Sequence, residues 1–200
     1  YKMSAFGKWH NTPATETTSI GPFDRWPTGY GFDYFFGFIA GETSQWEPRL
    51  TRNRTHIEPP HGETYHLTEG MVDDALRWLD DYKAYSPDKP FLMYWAPGAV
   101  HGPHHVAQQW ADKYKGKFDD GWDAYRKRVY QRQLELGIIP PGTKLTERDP
   151  TMQSWEEIPA SQRPFQRRLM EVYAGFVEHT DTQVLRLIEG LESRGLRDNT

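Results

Sequence analysis

Residues 90–100 read PFLMYWAPGAV, a nearly unbroken apolar run that directly follows a helical pattern. A run of this kind predicts a strand over 90–96 that is buried on both faces of a parallel sheet. The preceding stretch, LTEGMVDDALRWLDDYKAY at 67–85, has Met71, Val72, Ala75, Leu76, Leu79 and Tyr82 at spacings of three and four. That spacing predicts a helix, with Thr68 as its N-cap and SPDK at 86–89 as its stop. At the start of the chain, YKMSAFGKW (1–9) alternates in the manner of a short strand. Strand, loop, helix and buried strand together make a βαβ unit, so the expected fold class is α/β: mostly parallel strands with flanking helices, and helix-rich in the C-terminal half.

Working outward, NTPATETTSIGPFDRWPTGYG (11–31) carries too much Pro, Gly and Thr for a long regular element and is expected as a surface loop. GFDYFFGFIAGETSQW (31–46) supports one short strand, with Gly37 and Gly41 marking close backbone packing. Residues from about 105 to 161 are expected to form a helical and loop excursion, with two polar helices around GKFDDG. From Ser161 to Gly195, an apolar stripe of Met170, Tyr173, Ala174, Val177, Val184, Leu187, Ile188 and Leu191 predicts one long helix. Both chain ends read as if on the verge of sheet strands, so the 200 residues are expected to be an internal piece of one domain, truncated at both ends.

Composition narrows the function classes. Net charge is −4 with 26% charged residues of both signs, which offers no general basic surface for nucleic acid or anionic lipid. Fourteen percent aromatics, eight of them Trp, argue for a folded chain. No apolar run is long enough for a membrane span. There is no Cys, which excludes a disulfide, a thiolate metal site or a Cys nucleophile within these residues. Walker A, G-x-G-x-x-G and G-x-S-x-G patterns are also missing from the sequence, which argues against nucleotide binding and serine hydrolysis. NRT at 53–55 fits an N-glycosylation sequon, a pattern too short to weigh heavily.

Three polar clusters adjoin apolar segments. In FGKWHN (6–11), Lys8 and His10 stand two apart, and on an extended strand both would leave one face. A fixed cation beside a titratable imidazole suits a tetrahedral anion, although the same spacing also fits a strand emerging into solvent. In APGAVHGPHHV (96–106), His101 falls just beyond a parallel strand, where ligands of open α/β sheets bind, while His104 and His105 read as loop or cap residues. In EHTD (178–181), Asp181 interrupts the apolar stripe, and a structural hydrogen bond to a neighbouring loop is the expected role.

Taken in order, AFGKWHN, GFDYFFGFIAGET, PFLMYWAPGAVHGPHHV and YAGFVEHTDTQVLRLIEGLESRGLRDNT resemble the sulfatase family, most closely its long bacterial arylsulfatases. The blocks match in order and approximate spacing across nearly the whole chain. The resemblance implies an alkaline-phosphatase-like α/β fold and hydrolysis of sulfate monoesters through a formylglycine nucleophile beside Ca²⁺ or Mg²⁺. It assigns Lys8 to the sulfate and formylglycine. It assigns His10 to the formylglycine hydroxyl and to sulfate elimination, and His101 to the sulfate ester as proton donor to the leaving alkoxide. The implied substrate is a small-molecule or glycan sulfate ester, and the implied workplace is the periplasm or the cell exterior.

The sequence also departs from the family pattern. The C/S-x-P/A-x-R motif that yields formylglycine does not occur, and neither SPDK nor TMQS supplies a Ser version of it. The carboxylates and Asn that hold the family's metal lie before GKWH and after DNT, so no metal ligand is expected within these residues. A phosphodiester or phosphonate monoester hydrolase of the same superfamily could carry similar blocks. So could a non-catalytic relative that binds sulfated glycans or a protein.

Overall fold

The structure, a computed structural model, describes residues 1–60 and 65–200. The chain divides into two compact units: Tyr1–Val106 with Phe176–Thr200, and Ala107–Gly175. The first holds a five-stranded sheet. Strands β1 (Lys2–Lys8), β2 (Tyr34–Phe38) and β5 (Phe91–Ala96) are mutually parallel with β1 in the middle, as the βαβ reading requires. Beyond β2 the sheet continues into an antiparallel hairpin, β3 (Leu50–Arg52) and β4 (Thr55–Ile57), giving the order β4-β3-β2-β1-β5.

The sequence did not reveal this hairpin, because three-residue strands carry almost no periodic signal. Asn53 makes the turn with φ +54°, a conformation Asn tolerates better than most residues. Its side-chain Oδ1 accepts from Phe35 N–H at 2.9 Å, and its own N–H donates to Phe35 O at 2.9 Å. The Asn of the NRT sequon is therefore stitched to β2.

Period-2 alternation sends neighbouring strand residues to opposite faces. Phe6, Phe36 and Phe38 face α1 (Leu67–Tyr85) and pack with Leu67, Met71, Val72, Ala75 and Leu79. Ala5 and Phe35 face the other way, where Trp9, Trp26 and Ile39 make a second cluster, with Phe23 and Phe32 packed against it. The loop 11–31 thus contributes to the second core and is more than a surface connection: Trp26 is fully buried, and its Nε1 donates to Glu16 O at 2.8 Å.

Three expectations need correction. Strand β5 lies at the sheet edge, and Leu92 and Tyr94 are each 47% exposed, so it is not buried on both faces. The N-cap of α1 is His66, whose side chain accepts from Thr68 N–H, while Thr68 itself lies within the helix. Asp181 is exposed, and the polar contact from that helix is made by His179 to α1.

The unit Ala107–Gly175 covers most of the expected excursion and contains α2 (Gln108–Asp112) and α3 (Gly121–Glu135), the two polar helices foreseen around GKFDDG. Its interior centres on Trp155, whose ring stands edge-on to Trp122 at 4.9 Å and whose N–H donates to Asp123 at 2.7 Å. The long helix α4 runs Arg163–Ser193 as its periodicity predicts. Only part of its stripe is covered: Leu187 is buried, whereas Tyr173, Val177 and Ile188 are exposed.

Gly37, Gly7 and Ala96 stand in register across the three parallel strands, with no room for a side chain at either glycine. Gly7 adopts φ +103°, and a Cβ there would lie 2.0 Å from Ala96 O. Gly7→Ala is expected to destabilise the protein by roughly 3 kcal/mol or more, combining left-handed strain with a backbone clash. The urea midpoint reads this directly, and an unchanged midpoint would contradict the close register.

Candidate functional site

Because β1, β2 and β5 are parallel, their C-terminal ends share one edge of the sheet, the usual place for ligands in open α/β folds. Lys8 is the last residue of β1. The strand stops there, so His10 lies in the following turn, and the reading that both side chains leave one strand face does not hold. Buried Trp9, between them, fixes the exit: its N–H donates to Phe38 O at 2.9 Å and its Nε1 to Arg25 O at 2.8 Å. Lys8 is left half-buried and His10 exposed.

His101 lies five residues beyond β5. Its N–H donates to Gly98 O at 2.9 Å, and its Nδ1 is 2.8 Å from Gly102 O. A carbonyl only accepts, so Nδ1 carries a proton and Nε2 is the nitrogen free to exchange one with a ligand. Glu42 Oε2 stands 3.8 Å from Nδ1, on the same side of the ring as Gly102 O.

The segment leaving β2 joins the two histidines. Gly41 packs against His10 so tightly that a Cβ would sit 2.6 Å from His10 Cε1, and the next residue, Glu42, faces His101. Consecutive residues therefore touch one imidazole each, which brings His10 and His101 to the same strand-end edge as Lys8. Sequence reasoning missed Glu42 and the role of Gly41 against His10, because neither contact has a local signal.

Four further histidines make packing and hydrogen-bond contacts within the fold. His105 Nδ1 accepts from Gln45 N–H at 3.4 Å, and its ring stacks with Trp46. His104 lies edge-on to Phe176. His179, 1% exposed, pairs through Nε2 with Glu69 at 2.8 Å. His66 is 2% exposed, and burial, the dominant cause, pushes it from its ordinary value near 6.5 down to about 4, against the opposing hydrogen bond to His105 O. In a crevice beside α1, Arg52, Asp74 and Arg77 are already paired with one another. Both guanidiniums reach Asp74 Oδ2 at 2.9 Å, and the Tyr34 hydroxyl, pushed up by burial and by Asp74, donates to the same carboxylate.

Comparison with known proteins then decides the family. The model of the family described as Sulfatase matches residues 1–200. The chain belongs to the sulfatase family. The arylsulfatase of Klebsiella aerogenes is 27% identical over 213 residues, covering 100% of this chain and 43% of that protein. The structure of yidJ from Bacteroides fragilis matches with TM-score 0.62 at 17% identity, over 100% of this chain and 39% of that one. BT4656, solved with its substrate D-glucosamine-2-N,6-O-disulfate, matches with TM-score 0.59 at 17% identity, over 100% and 46%. The sulfatase chain thus spans less than half the length of these relatives, and its fold is alkaline-phosphatase-like.

For the divalent ion of sulfatases, the described residues do not fit: no three His, Asp or Glu side chains converge as a ligand set among them. No helix among them is long and apolar enough to cross a membrane.

Two measurements test this geometry. Gly41→Ala is expected to displace the His10 imidazole, moving its ring signals in the NMR spectrum, while shifting thermal unfolding little. For His66, the unfolded state binds a proton below about pH 6.5 and the folded state only below about 4. Stability contributed by the neutral ring is therefore complete above pH 6.5 and falls as pH drops through that window. Urea unfolding at pH 7 and pH 4.5 should differ by roughly 2–3 kcal/mol more for the wild type than for His66→Gln.

Proposed function

We propose that these residues form part of the catalytic domain of a sulfate monoester hydrolase of arylsulfatase type. Lys8 holds a sulfate oxygen, His101 protonates the leaving oxygen, and His10 handles the proton of the nucleophile's hydroxyl. The observation that carries this reading is the 41–42 segment, which touches both imidazoles at the edge where Lys8 ends β1. As the S–O bond breaks, negative charge moves to the leaving oxygen, so a preorganised cation and a donor at that oxygen stabilise the transition state more than the ground state. The Nδ1 proton is held by Gly102 O, so Nε2 is the nitrogen of His101 that would deliver the proton.

In this proposal the rest of a longer protein contributes the formylglycine nucleophile and the ligands of a Ca²⁺ or Mg²⁺ ion, which would add Lewis-acid polarisation when bound. The substrate class is a sulfated sugar or aryl sulfate, by likeness to BT4656 and to the Klebsiella arylsulfatase.

In the full-length protein, Lys8→Ala and His101→Ala should each lower turnover more than about tenfold, since such terms are commonly ~10²–10⁴ in rate. The His101→Ala loss should be larger for phenyl sulfate than for 4-nitrophenyl sulfate, whose leaving group needs less protonation. Wild-type kinetics in either variant refute the assignment, and a preference for a phosphate diester over both sulfates shifts the substrate class. The isolated 200-residue chain should neither hydrolyse 4-nitrophenyl sulfate nor bind Ca²⁺ at an enzyme-like site. Metal-dependent turnover by it would show that these residues hold a complete site.

A further inference from the structure

The loop that carries His101 ends at His105, and the carbonyl of His105 lies 3.0 Å from His66 Nε2. His66 Nδ1 accepts the backbone N–H of Thr68 at 3.2 Å, at the start of α1. With Nδ1 acting as acceptor, the single proton of the neutral ring must sit on Nε2 and be donated to His105 O. Both ring nitrogens are therefore committed, one to the helix and one to the loop.

The surroundings hold the ring in that state. Trp46 stands edge-on at 4.9 Å, Phe176 at 6.0 Å, and the His179 ring at 4.3 Å, with Glu69 on the Nε2 of His179. The same loop is braced from its other side by the segment leaving β2. Glu42 reaches His101, Gln45 N–H reaches His105 Nδ1, and Gln45 O accepts from Leu67 N–H at 2.8 Å. Loop, segment and helix start meet at His66.

We propose that His66 is a positioning residue for His101: its neutral imidazole clamps the His101–His105 loop to the N-terminus of α1, holding the His101 ring where a leaving oxygen departs. The proposal rests on the reading of His101 as proton donor. A helix N-cap is more often Ser, Thr, Asp or Asn, each of which satisfies the helix. All four side chains are shorter than histidine, whose second nitrogen stands on the far side of the ring and can serve the loop as well.

The two hydrogen bonds can be separated by mutation in the full-length enzyme. In His66→Asn, the amide oxygen replaces Nδ1 and keeps the cap, but the side chain is too short to reach His105 O. In His66→Gln, the amide nitrogen has the reach of Nε2 and keeps a donor for the loop. With folding checked by circular dichroism, His66→Asn is expected to lower kcat on phenyl sulfate about tenfold, with less effect on 4-nitrophenyl sulfate and little change in KM. His66→Gln should recover a substantial part of that loss, and it remains testable if His66→Asn does not fold. In the double variant with His101→Ala, the His66→Asn change should add little, because residues acting through one another are not additive.

Equal losses on both esters, full additivity with His101→Ala, or no advantage of Gln over Asn would each overturn the clamp. His101→Ala with wild-type kinetics is a different result, since it removes the proton-donor reading itself.

Discussion

The edge that carries the candidate site depends on how closely three backbones approach one another. At Gly37, Gly7 and Ala96 the parallel strands stand in register, and a Cβ on Gly37 would fall 2.0 Å from Gly7 O, as one on Gly7 would from Ala96 O. No β-carbon fits at either glycine, so this row sets bare backbone of β1 against β2 and β5. It also lets Met71 of α1 press onto the sheet, its Cε lying 2.5 Å from where a Gly7 Cβ would be. The residue after this row on β1 is Lys8, and the exit of β2 runs on to Gly41 and Glu42. Replacing the small residues would spread the exits, and the contacts to His10 and His101 would lose their frame.

Helix α1 provides the second fixed reference. Its N-terminus binds the loop through His66 and, through Glu69, the buried His179 of α4. Its middle places Asp74, 3% exposed, against Arg52 of β3 and Tyr34 of β2. Its C-terminal part meets Arg194, which takes Asp80 through two nitrogens at 2.7 and 2.8 Å while Lys83 donates to Arg194 O. A buried carboxylate without partners would be strongly destabilising, whereas a paired one contributes mainly orientation. These pairs set the rotation of α1 on the sheet more than they set net stability. The apolar stripe of α1 alone would tolerate a range of rotations, and the directional bonds select one.

Much of the fold was legible because it rests on repeating patterns. The parallel arrangement followed from an apolar run after a helix, and α1 and α4 followed from 3.6-residue spacing. What was hidden depends on contacts distant in sequence. The edge position of β5 cannot be read from Phe91–Ala96, because apolar composition does not say whether a further strand lies beside it. The β3–β4 hairpin rests on Asn53 bonding to Phe35, a contact eighteen residues away. Thr68 has the side chain of an N-cap, yet His66 takes the position and also bonds His105 O, thirty-nine residues off. The candidate site divides in the same way. Lys8, His10 and His101 sit in recognisable blocks, whereas Gly41 and Glu42 matter only through what the folded chain brings against them.

Glu42 raises a last question of electrostatics, since a carboxylate beside an anion site should repel the anion. The arrangement separates the two effects by placing the imidazole between them. Glu42 faces Nδ1 of His101, whereas the nitrogen assigned to the ligand in the proposed function is Nε2, across the ring. Both side chains are more than half exposed, so solvent screens the pair and its contact at 3.8 Å orients the ring more than it stabilises the fold. In the proposed role, Glu42 and the Nδ1–Gly102 O bond would together set which way the His101 ring faces, while the clamp at His105 would hold the loop that carries it.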